Sequence, residues 1–145
     1  MAEPDAPLLS YIIGRLDRAI RNRLLEILAP LELSIPQFTT LSVLRRRPGL
    51  SNAQLARRAL ILPQSMIQVI AALEQRLLVQ RAPDPSHNRI LQTSLTASGL
   101  ALVERAEAAT REFEAGLIAA VGDSGDAEAA MGVMQVWLET LRSDS

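Results

Sequence analysis

Apolar residues recur at helical spacing along much of the chain, and the breaks between these runs outline its elements. Leu9, Ile12, Ile13, Leu16, Ile20, Leu24, Ile27 and Leu28 share one side of the stretch 8–28, with Arg15, Asp17, Arg18 and Arg21 elsewhere on the cylinder. This pattern predicts a long amphipathic helix ended near Pro30. "SIPQ" at 34–37 and "SNAQ" at 51–54 each place a serine three residues before a glutamine, the mark of a capped helix start, and "RPG" at 47–49 is a turn between them. Short helices are therefore expected from about Ile35 and from Asn52 to about Ala59. Pro63 suits the first turn of a third, "PQSMIQVIAALEQRL", whose Met66, Val69, Ile70 and Leu73 face inward. "LVQRA" and "RILQTSLT" read as strands on either side of the turn "PDPSHN". Thr96 can cap a helix running to about Val121 with Leu100, Val103, Ala106, Phe113, Leu117 and Val121 on one side. "GDSGD" breaks it before a last helix from about Ala127 to Arg142, striped by Ala130, Val133, Met134, Trp137, Leu138 and Leu141.

Two short helices joined by a tight turn match helix-turn-helix spacing, with the helix from Pro63 in the recognition position and the hairpin after it as a wing. The predicted fold is mainly α with a small β-hairpin wing: a winged helix-turn-helix module at 34–95, an N-terminal dimerisation helix at 1–33 and C-terminal dimerisation helices at 96–145. One small winged module cannot cover the apolar faces of the first and last helices. Interlocking with a second copy would bury them; an intrachain bundle is the alternative.

Charge sharpens this outline. The net charge is −1, but residues 1–40 carry four Arg against five acids, 41–93 eight Arg against two acids, and 94–145 three Arg against nine acids. A basic module thus lies between acidic flanks, which suits contact with a polyanion. All fifteen cations are arginine. With no cysteine, disulfides and thiolate metal sites are excluded. The acidic start "MAEPDAPLLSYII" lacks a signal peptide's basic region and no apolar run reaches membrane-spanning length, so a cytoplasmic protein without membrane attachment is expected. There is no Gly-rich phosphate loop, no metal-ligand spacing and no nucleophile paired to a histidine by a known motif. No catalytic residue, metal or cofactor is therefore assigned. Glu104 with Glu107, and Glu112 with Glu114, read as exposed helix charges.

"LPQSMIQVIAALEQRLLVQR" (62–81), "DPSHNR" (84–89) and "LTASG" (95–99) resemble the recognition helix and strand, the wing and the Leu-Thr-x-x-Gly helix start of the MarR family of bacterial transcription regulators. The resemblance covers nearly the whole chain. It implies an obligate homodimer that binds double-stranded DNA at a near-palindromic operator and is often released by a small ligand held between the DNA-binding and dimerisation regions. It also implies that Arg89, at the wing tip, enters the minor groove, where narrow A·T stretches attract arginine.

The departures from the family pattern are informative. His87 stands where the wing has a second aspartate and Asn88 where arginine is common, so a wing-ordering ion pair is not expected. Leu62 replaces the polar cap of the recognition helix and Leu77 the glycine before the strand. The outward face of that helix presents Gln64, Ser65, Ile67, Gln68, Ala71, Ala72 and Gln75, with no cation before Arg76. Glutamine pairs with adenine and isoleucine meets a thymine methyl, so the face favours A·T base pairs. The candidate DNA contacts are Ser51, Asn52, Gln64, Ser65, Ile67, Gln68, His87, Asn88 and Arg89, with phosphate contacts from "LRRRPG" (44–49) and "ARRA" (56–59). Where the family holds its ligand, this chain has Tyr11, Ile12, Arg15 and Phe38, a set suited to a small aromatic or apolar acid. The expected function is a ligand-released repressor. The alternative is a relative of the same fold that has lost operator binding and serves as a small-molecule-binding protein or unorthodox enzyme.

Overall fold

A computed structural model describes residues 6–143. The chain divides between Glu107 and Ala108 into two compact units. In the first, α1 (Leu9–Leu28) is followed by a 3₁₀ turn (Ala29–Leu31), then α2 (Ile35–Arg46), α3 (Asn52–Ala59), α4 (Pro63–Gln75), β1 (Val79–Asp84) and β2 (His87–Leu95). Helix α5 (Ala97–Val121) begins in this unit and runs into the second, which also holds α6 (Ser124–Ser143).

Helices α2 and α3 start where the serines require. Ser34 and Ser51 each accept the backbone N–H three residues on, and Gln37 and Gln54 reach back to the serine N–H, so both capping boxes are complete. Leu28, Leu41, Leu44, Leu55, Met66, Ile70, Leu73 and Val103 are fully buried and form the centre of the winged module, with Val69 half-buried at its edge. The expected inward face of α4 is thus the observed one. At the corner before α3, Gly49 takes φ +75°, a conformation glycine adopts without a Cβ clash. Its neighbour Leu50 forms an antiparallel bridge to Thr93, which makes a minimal third strand beside β2.

The hairpin is longer and tighter than the sequence pattern suggests. Pro83 pairs opposite Leu91 and Asp84 opposite His87, so Pro83, Asp84, His87 and Asn88 are strand residues and the turn shrinks to Pro85–Ser86. The register shifts between Pro83 and Asp84, leaving Asn88, Arg89 and Ile90 as a bulge in β2. Proline has no N–H to give a ladder, and such an irregularity accommodates it.

In the second unit the break before α6 is shorter than expected. Gly122, at φ +93°, turns the chain, Asp123 accepts the N–H of Gly125 at 2.9 Å, and α6 begins at Ser124 instead of about Ala127. Val133, Trp137, Leu138 and Leu141 along α6, and Leu117, Ile118 and Val121 along α5, are all exposed in the single chain. The same holds for Leu9, Ile12, Ile13 and Leu16 on α1. No single helix among the described residues is long and apolar enough to cross a membrane.

Candidate nucleic-acid interface

Helix α4 is positioned from both of its ends. Its first turn has Pro63 but no side-chain cap, because Leu62 stands at the N-cap and offers no acceptor. At the other end Leu77 takes φ +59°, its N–H donates to Glu74 O at 3.0 Å, and Leu78 N–H donates to Leu73 O at 3.0 Å. This is the closure a C-terminal glycine makes. Leucine therefore occupies the position without changing the geometry, and the replaced glycine does not alter the helix end.

Side chains then tie α4 to its surroundings. Arg76 forks onto the carbonyls of Leu31 and Glu32, at 3.2 and 2.6 Å. Arg81 on β1 makes a bidentate pair with Glu74, both contacts 3.0 Å. The Arg81 bonds hold the Glu74 carboxyl below its usual range, and Glu74 in turn raises the Arg81 guanidinium. The acid on α4 is thereby neutralised within the module.

The base of the wing is fixed just as closely. Thr96 donates its hydroxyl to Leu77 O at 2.6 Å and accepts the N–H of Gly99 at 3.0 Å, capping α5 as expected. A Cβ on Gly99 would lie 1.9 Å from Leu78 O, so the Leu-Thr-x-x-Gly spacing reflects a backbone approach that admits only hydrogen. At the tip, Asp84 accepts both the N–H and the hydroxyl of Ser86, at 2.8 and 2.7 Å. These bonds hold its carboxyl below the usual range, with lesser help from Gln92 and His87. A local turn bond thus orders the tip in place of an ion pair.

Gln64, Ser65, Ile67 and Gln68 all lie exposed on α4, while Ala72 is half-buried. His87, Asn88 and Arg89 are exposed together at the wing tip. Asn52 is half-buried and the Ser51 hydroxyl is engaged in its cap, accepting Gln54 N–H at 3.3 Å. Of the basic runs, Arg46, Arg47, Arg57 and Arg58 are exposed and make no ion pair among the described residues. Arg45 is different. It pairs with Glu107, which is only 6% exposed, and lies 3.5 Å from Glu104. One expectation changes here: Glu107 is a buried ion-pair partner and not a solvated helix charge, and Arg45 is held by carboxylates where its neighbours in the run are not. The partners are 62 residues apart, so neither sequence pattern nor spacing signals the pair.

Tyr11, Ile12 and Arg15 come together with Pro7 and Leu16 around an open cleft of about 360 Å³ on α1. The Arg15 guanidinium lies 5.8 Å from the centre of the Tyr11 ring. Phe38 does not line this cleft; it is half-buried against the core of the winged module. Among the described residues no group of three or more side chains is placed to hold a metal.

The model of the MarR family matches residues 33–91, the winged module itself. A curated relative, the HTH-type transcriptional repressor Rv2887 of Mycobacterium tuberculosis, is 42% identical over 115 residues, which cover 79% of this chain and 82% of that one. The solved structure of Rv2887 in complex with salicylic acid superposes with a TM-score of 0.73 at 35% identity, covering 92% of this chain and 99% of the other. Rv2887 in complex with DNA superposes with a TM-score of 0.75 at 35% identity, covering 91% and 98%.

Proposed function

The chain belongs to the MarR family, and from that premise we propose that it is a cytoplasmic transcriptional repressor without catalytic activity, which binds a near-palindromic DNA operator as a homodimer and is released by a small aromatic acid. One observation carries the reading: α4 buries Met66, Ile70 and Leu73 and leaves the opposite side, with Gln64, Ser65, Ile67 and Gln68, open beside a hairpin whose tip holds Arg89. An exposed polar helix face next to a protruding arginine fits a major groove and the minor groove flanking it. Exposed Arg46, Arg47, Arg57 and Arg58 suit the phosphates between.

The apolar faces of α1, α5 and α6 supply the surface for a second copy, and two-fold symmetry of the protein matches an operator of two half-sites. The cleft at Tyr11, Ile12 and Arg15 suits the inducer: a guanidinium can hold a carboxylate in a forked pair while apolar side chains cover the ring. The relatives are named as transcriptional regulators and one is solved both with DNA and with salicylic acid. They support this reading over a ligand-binding protein that has lost its operator.

The test is a titration of the duplex upstream of the chain's own gene, with and without salicylate. Affinity should fall steeply with salt, as phosphate contacts release counterions. Salicylate should raise the melting temperature and weaken DNA binding, and Arg15→Ala should reduce both effects. If salicylate does neither while DNA is still bound, the ligand assignment fails alone.

A further inference from the structure

The turn before α4 and the first two turns of that helix carry three large apolar side chains that the fold leaves uncovered. Leu60 is 86% exposed, Leu62 74% and Ile67 59%. The two leucines stand where the backbone favours other residues. Leu60 has φ +54°, where glycine is least strained, and Leu62 occupies an N-cap, where a serine or aspartate would bond the helix N–H groups. Neither side chain is used by the core.

Between Arg58 and Arg76 the chain has no cation, and Arg76 is committed to the carbonyls of Leu31 and Glu32. Guanine presents two major-groove acceptors that arginine meets best, whereas thymine presents a methyl group and adenine an edge that glutamine pairs. Gln64 and Gln68 lie one helical turn apart beside Ile67.

We propose that α4 reads its half-site through thymine methyl groups packed against Leu60, Leu62 and Ile67, with Gln64 and Gln68 pairing nearby adenines, and without an arginine–guanine contact. This rests on the DNA-binding reading above. Charge complementarity argues for DNA as the occupant of this surface: Arg57 and Arg58 lie in the last turn of α3, which Leu60 caps, so the leucines follow cations suited to phosphates.

The experiment selects duplexes from a random library with the full chain, then titrates the best of them with half-site thymines replaced by deoxyuridine, which lacks only the methyl group. The selected half-sites should be rich in A·T, and each contacted methyl removed should weaken binding about fourfold, the value of burying about one methylene. Ile67→Ala, at an exposed position, should narrow the thymine–uracil difference and leave the salt dependence unchanged. Equal affinity for thymine and uracil duplexes, or half-sites read at guanine, overturns methyl readout while DNA binding stands. If no duplex is enriched and none binds at low salt, the DNA-binding reading itself falls and the proposal with it.

Discussion

The base of the β1–β2 hairpin and its tip are held in opposite ways. At the base, Thr96 bonds Leu77 and Gly99, the Gly99 backbone lies against Leu78 O, Leu50 pairs with Thr93, and Arg81 grips Glu74. At the tip, the bonds from Ser86 to Asp84 close the turn, the ladder is bulged, and His87, Asn88 and Arg89 stand in solvent. The contrast teaches where position has to be inherited and where it can be found on contact. The base fixes the wing relative to α4, as the proposed contact with neighbouring grooves would require, while the tip leaves His87, Asn88 and Arg89 exposed to solvent.

The strongest way to break this contrast is at the base. Gly99→Ala forces a methyl onto Leu78 O and must displace α5 from the α4–β1 junction, with an expected cost above about 3 kcal/mol, read as a lowered denaturation midpoint. An unfolding free energy within about 0.5 kcal/mol of wild type would show that the junction yields. At the tip, Arg89→Ala should leave the denaturation midpoint unchanged yet weaken duplex binding by about 1–3 kcal/mol. Unaltered affinity in that variant would take the wing out of DNA recognition. The smallest expected effect sharpens the comparison without breaking it. Leu77→Gly relieves a left-handed leucine that is 73% exposed, so the base should gain about 1 kcal/mol with DNA affinity preserved. A loss of stability would instead mean that leucine's restriction of the unfolded chain outweighs its strain.

Much of this architecture is legible from local pattern. The capping boxes at Ser34 and Ser51, the inward stripe Met66–Ile70–Leu73 and the Thr96 cap all express relations between residues a few positions apart. The Asp84–Ser86 bond lies within the same range, although the missing ion pair draws the eye first. What the sequence hides are the long-range choices. Arg45, Arg76 and Arg81 stand in the chain as three more cations of a basic module, and only folding reveals that Glu107, two backbone carbonyls and Glu74 claim them. Phe38 shows the reverse. An aromatic near a helix start looks available to a ligand, but its packing is decided by a core assembled from distant leucines.

The fork of Arg76 has a mechanical consequence. Its acceptors lie 44 and 45 residues earlier in the chain, at the corner that ends α1, while its own backbone closes α4. The two helices therefore share a rivet. A rotation of the corner at Leu31–Glu32 either drags the end of α4 and the root of the wing along with it or tears two hydrogen bonds. The first long helix is thus tied, through its terminal corner, to the end of α4 and the strand that follows it.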